Sequence, residues 1–156
     1  MSSNEKVLVL LFRAGGERAS VRAADVQKVT PVGHISRLPR LPSVVTGITQ
    51  HRGRVVTVVD AAALLFGAAP AALMASSGRP LSPDARLLIL ERPVRHVGLL
   101  VDAVDEIEGV RLSADLPPGH LPCLRVATHK GKALQVVDVE KLMDAVEVHT
   151  GTPVLR

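Results

Sequence analysis

Histidine suits metal binding and proton transfer near neutral pH, and this chain has six: His34, His51, His96, His120, His129 and His149. No two stand at the spacing that would put them on one helix face around an ion, and no H-E-x-x-H occurs. Exposed hairpin histidines account for His51 and His129 more simply, so no metal site is expected. Cys123 follows Pro122. A reactive thiol needs a thiolate-stabilising neighbourhood, and a small buried apolar residue is the plainer role. Asp102, Asp105, Glu106 and Glu108 form a local acidic cluster, which reads as a solvated strand face more economically than as paired catalytic carboxylates. No serine stands in a G-x-S-x-G elbow, and Gly15-Gly16 lacks the rest of a phosphate loop. No catalytic residue and no cofactor are expected, and the protein reads as a non-enzyme.

The elements carrying these residues belong to a chain of 156 residues, 47% hydrophobic and 22% charged. That suffices for one ordinary domain, or two small halves sharing a core. No apolar run is long enough for a membrane span, and Met1 to Lys6 does not read as a secretory leader. A single cysteine excludes an intrachain disulfide. A cytoplasmic or other reducing compartment is therefore expected. The net charge of +4 raises the question of nucleic acid. However, Phe12 and Phe66 are the only aromatics, whereas a single-strand binder stacks bases on aromatic platforms. No basic helix or zinc-finger spacing is visible either.

The strongest internal signal is a repeat. His51-Arg52-Gly53-Arg54-Val55-Val56-Thr57-Val58-Val59-Asp60 lies 78 positions before His129-Lys130-Gly131-Lys132-Ala133-Leu134-Gln135-Val136-Val137-Asp138. The same offset places Leu10 on Leu88, Val26 on Val104, Val29 on Ile107 and Leu38-Pro39 on Leu116-Pro117, without a gap. Two copies imply a duplicated fold, with residue n superposing on n + 78. Each half reads as short strands. Val7 to Phe12 and Glu17 to Val21 flank a Gly15-Gly16 turn, and Val26 to Thr30 follows a helical turn at Ala23 to Asp25. Gly47 to His51 and Arg54 to Val59 flank Gly53 as a hairpin. Ala61 to Phe66 closes the half as a helix.

The second half runs in the same order: Leu87 to Glu91, Val97 to Val101, Val104 to Leu112, then Leu124 to His129 and Lys132 to Val137 around Gly131. Val139 to Ala145 is its helix. The expected architecture is all-β: two five-stranded barrels, each small and nearly closed, with short helices. Expected boundaries are 1–66 for the first β-barrel subdomain, 67–84 for the linker, 85–145 for the second and 146–156 for a tail. Asp60 and Asp138 are expected to cap the closing helices.

Three segments resemble one family. Gly47-Ile48-Thr49-Gln50-His51-Arg52-Gly53 through Asp60 is similar to the G-V-x-N-L-R-G-x-x-x-P-V-x-D-L signature of CheW-like coupling domains. Val97-Gly98-Leu99-Leu100-Val101-Asp102-Ala103-Val104 resembles their V-G-L-x-V-D-x-V segment, and Val136 to Leu142 their closing strand and helix. The likeness runs from about Val7 to Met143. It implies two SH3-like barrels and a chemosensory scaffold that binds the cytoplasmic tip of chemoreceptors and a CheA-type histidine kinase. The resemblance transfers a receptor groove to Val26, Lys28, Gly47, Arg52 and Gly53, and structural roles to Asp60, Asp138, Gly98 and Gly131. It implies a cytoplasmic location in receptor arrays and no membrane insertion.

This chain departs from the family at several positions. Lys28 stands where the family carries a glutamate able to pair with the motif arginine, here Arg52. On neighbouring strands the two would make a basic spot favouring an acidic partner. Gln50-His51 replaces the usual Asn-Leu, Ala61-Ala62 the usual Leu-Arg and Ala19-Ser20 the usual Tyr-Gly. Such departures resemble the small accessory CheW-like proteins of frizzy-type pathways (FrzB-like). Two alternatives stay open: an accessory protein binding receptors but not the kinase, and a basic β-barrel nucleic-acid binder.

Overall fold

The computed structural model describes residues 5–37, 44–66, 83–91, 96–112 and 124–150. β1 (Glu5–Ala14) and β2 (Glu17–Arg22) pair as a hairpin, and a 3-10 turn at Ala23–Asp25 leads into β3 (Val26–Pro31). β4 (Val45–His51) and β5 (Arg54–Asp60) form the second hairpin, followed by α1 (Ala61–Phe66). β6 (Arg86–Leu90), β7 (Val97–Val101), β8 (Ala103–Leu112), β9 (Leu124–His129) and β10 (Lys132–Val137) repeat the order, and α2 (Val139–Thr150) closes it. The expected linker falls mostly outside the described residues, as do Cys123, His120 and the irregular connections around Pro39 and Pro117. α2 runs on to Thr150 through residues expected as tail.

The strands form two five-stranded sheets, in the orders β8-β1-β2-β10-β9 and β3-β6-β7-β5-β4. Shifting every strand of one order by half the chain yields the other. The register obeys the same rule: Val29↔Leu88 has its mate in Ile107↔Leu10, and Val58↔Gly98 in Val136↔Ser20. Both turns of the paired hairpins hold the same conformation, with φ of 51° at Arg52 and at Lys130.

Each sheet nevertheless draws strands from both halves. β1 and β2 pair with β8 and β10, while β6 and β7 pair with β3 and β5. The division at 66 and 85 is therefore a division of the sequence repeat and not of the sheets. Two of the exchanged strands, β6 and β7, are almost wholly apolar. β7 is buried at every position and β6 at four of its five, as strands covered on both faces must be.

Three apolar clusters follow from this arrangement. Val9, Leu11, Val110, Ala127, Leu134 and Val136 fill the first sheet. β1 and β9 are not neighbours in that sheet, so it curls for Val9 and Ala127 to share a cluster. Val56, Val58, Leu87, Ile89 and Leu100 fill the second sheet, largely at the equivalent positions. Between the sheets lies the largest cluster, including Phe12, Val21, Leu65, Leu88, Leu99, Leu142 and Met143. One face of β1 therefore serves a sheet's own core and the other the shared core, through the period-2 alternation of a strand. Gly98 on β7 lies where packing is tight: an added Cβ would stand 2.8 Å from Leu87 Cδ1 and 3.1 Å from Val56 Cγ1.

Candidate functional site

The site is built on the β4–β5 hairpin. His51 pairs with Arg54, leaving a two-residue turn in which Arg52 and Gly53 both have positive φ, 51° and 77°. That is the turn geometry that matches strand twist. Glycine adopts it at no steric cost, whereas Arg52 holds it with its side chain exposed. At the far end of β4, Gly47 is buried beneath the segment following β3. Ser36 N–H donates to Ile48 O at 2.7 Å and Ile48 N–H to Ser36 O at 2.9 Å. A Cβ on Gly47 would run into the Ser36 carbonyl oxygen and come within 2.8 Å of Ile35 Cγ2. Glycine stands there because two backbones meet.

The hairpin forms one wall of a cleft of about 340 Å³. His51, Arg52, Arg54 and Val56 line it from β4 and β5, Ile89 and Glu91 from β6 and its end, His96 from the entry to β7, and Gln27 from β3. Two backbone bonds place the remote members. Glu91 N–H donates to Asp25 O at 2.8 Å, and Thr57 N–H donates to His96 O at 2.8 Å. Gln27 is placed by a bulge: Val26 faces Leu90 and Lys28 faces Ile89, so Gln27 has no opposite residue. Bulges redirect side chains in this way.

The five transferred residues therefore do not gather as one groove. Arg52 lines the cleft and Gly53 completes its turn. Val26 is half-buried against the core between the sheets, and Gly47 is buried by 35–36. Lys28 is exposed on β3 and does not line the cleft. β3 is hydrogen-bonded to β6, while the β4–β5 hairpin lies at the opposite end of the sheet order. β3 and the β4–β5 hairpin are not hydrogen-bonded to one another, and Gln27 is the β3 residue that shares the cleft with Arg52. Gln27, Glu91 and His96 escaped sequence reasoning. The repeat held a signal for them, because their mates at the 78-residue offset are Asp105, Arg13 and Arg18, all charged.

Those mates form a different arrangement. Arg13 Nη2 donates to Asp105 Oδ1 at 2.8 Å and its Nε to the same carboxylate at 3.1 and 3.2 Å, with Arg18 Nη2 3.9 Å away. The Arg13 hydrogen bond holds the Asp105 pKa below the usual carboxylate value; burial opposes this, and the charges of Arg13 and Arg18 reinforce it. Glu108 lies 3.9 Å from His129 Nε2 and 3.8 Å from Lys130 Nζ. Asp102 Oδ2 accepts from Gly15 N–H at 2.8 Å and ties the first turn to β8.

The two aspartates before the helices also correspond. Asp60 Oδ1 accepts from Ala63 N–H at 3.2 Å, and Asp138 Oδ1 from Glu140 N–H at 3.1 Å and Lys141 N–H at 3.3 Å. Among the described residues no group of three His, Cys, Asp or Glu side chains is arranged to hold a metal ion. No helix among them is long and apolar enough to cross a membrane.

Comparison with known proteins agrees with this architecture. The profile of the CheW-like domain matches residues 8–147, nearly the whole chain. The chain belongs to the CheW-like domain family. Protein FrzA of Myxococcus xanthus is 28% identical over 141 residues, which cover 85% of this chain and 82% of that protein. A probable chemotaxis protein CheW of Rhizobium etli is 31% identical over 101 residues, 64% of this chain and 58% of that protein. The crystal structure of the scaffolding protein TtCheW from Thermoanaerobacter tengcongensis superposes with a TM-score of 0.69 over 90% of both chains, at 23% identity. That last likeness speaks to fold: two five-stranded sheets with few short helices, as expected of the CheW-like architecture.

Proposed function

We propose that this CheW-like protein is a non-catalytic adaptor of a chemosensory pathway, joining the cytoplasmic tip of a chemoreceptor to the regulatory domain of a CheA-type histidine kinase. The observation that carries the reading is the CheW-like match across residues 8–147. In keeping with an adaptor, the chain presents a surface cleft with arginines among its lining residues. The receptor side of the reading is centred on Arg52 and Gly53 together with Gln27 and His96. The cytoplasm is its place of action.

The test is a co-precipitation of the purified protein with a receptor-tip fragment, with the kinase regulatory domain, and with both. Retention of each partner separately, and of a ternary complex from the mixture, is the expected result. Retention of the receptor fragment alone would replace the coupling reading by an accessory, receptor-only one. Retention of neither would overturn both.

A further inference from the structure

The duplication supplies an internal control for the cleft, because the same site occurs twice and its charges are settled differently. In the first sheet, the third strand of the repeat, β8, presents Asp105, Glu106 and Glu108. Asp105 takes Arg13, and Glu108 lies within 4 Å of His129 and Lys130 on the hairpin. In the second sheet the corresponding positions on β3 are Gln27, Lys28 and Thr30, so three acids become two neutral residues and one cation. The hairpin keeps its cations, with Arg52 for Lys130 and Arg54 for Lys132. Among the described residues neither arginine has a carboxylate within ion-pairing distance. Among the described residues lining the cleft, Glu91 is the single acid, against Arg52, Arg54 and two histidines.

We infer that the cleft between Gln27, His51, Arg52, Arg54 and His96 receives an acidic segment of a partner protein, whose carboxylates stand to this hairpin as Glu108 stands to the other. The inference rests on the adaptor reading and gives its partner a chemistry. A cation pair left without an internal counter-charge gains most from an external one, and it repels partner surfaces that are themselves basic. A polypeptide fits better than a polynucleotide. Among the described residues the cleft holds no Phe, Tyr or Trp platform on which a base could stack, and two arginines neutralise few phosphates.

The probe is a labelled short peptide carrying Asp-Glu-Ile-Glu, the β8 sequence from Asp105 to Glu108, with Asn-Gln-Ile-Gln as the uncharged control. Two variants of the full chain are compared with wild type: Arg52→Gln with Arg54→Gln, which removes the cations, and Gln27→Asp with Thr30→Glu, which grafts in the other half's acids. Wild type is expected to bind the acidic peptide and not the amide one, with affinity falling as salt screens the charges. Both variants are expected to bind it about fivefold to tenfold more weakly. Because the arginines are exposed, the first variant carries the test even where the graft disturbs folding. Equal binding of both peptides, or variants that bind like wild type, would overturn the inference. So would a thymidine oligonucleotide that binds better than the acidic peptide with the same dependence on Arg52 and Arg54. Receptor-tip and kinase binding are measured in parallel. Partners retained without any peptide binding would remove the acidic cleft and leave the coupling reading. Peptide binding without either partner would remove the coupling reading and leave the cleft.

Discussion

Arg52 and Lys130 have the same backbone angle, the same place in a hairpin and the same sign of charge, yet only Lys130 has an acid beside it. What separates them is the residue 30 or 108 on a strand distant in sequence. Asp105 shows the same logic in a form that can be titrated. Folding lowers the pKa of this acid through Arg13. Its ion pair therefore adds stability in full above the ordinary carboxylate range, and the gain is lost as pH falls through that range toward the lowered value. Asp105→Asn should show a small drop in Tm at pH 7, small because Arg13 is exposed to water. The difference from wild type should shrink as pH falls below the ordinary carboxylate range. Thermal melts across that range check it, and a difference independent of pH would deny the ion pair its role.

At the scale of elements, the hairpin around Gly53 and the helix after Asp60 were readable because their determinants are local. A glycine in a two-residue turn and an aspartate before an apolar helix act through neighbours two or three positions away. The caps lead to a prediction: Asp60→Ala and Asp138→Ala should each cost about 0.5–2 kcal/mol. Asp60 is the more buried of the two, so its replacement should lie toward the upper end. Denaturant melts that leave the midpoint unchanged for both would remove the capping role. The bulge at Gln27 was not readable. Val26, Gln27 and Lys28 carry no glycine or other mark of an irregular strand, and the bulge exists only relative to Leu90 and Ile89 on β6. The family resemblance carried Lys28 into the groove, whereas the cleft is lined by Gln27.

The whole molecule turns on an exchange: β1 and β2 complete the sheet of the second half, β6 and β7 that of the first. A chain cut between residues 66 and 83 should therefore leave two fragments that do not fold alone, since β1 and β2 would lack β8 and β10, and β3 and β5 would lack β6 and β7. Mixing them should restore a cooperative melt, followed by circular dichroism. A fragment that folds by itself, its own strands closing on one another, would show that the exchange is not required. The sequence by itself determined the two-fold repeat, the order of strands within it, both glycine hairpins and the family, because each depends on residues close along the chain or on direct self-comparison. Only the tertiary structure decided which half each strand serves. The two copies carry equivalent strands with equivalent registers, so β2 meets a suitable edge on β5 and on β10 alike, and no local pattern distinguishes them. The apolar faces of β1, β2, β6 and β7 are all covered when these strands cross between the sheets and line the shared core. That burial is a property of the assembled molecule, and with it comes the cleft in which Gln27, Arg52, Glu91 and His96 meet.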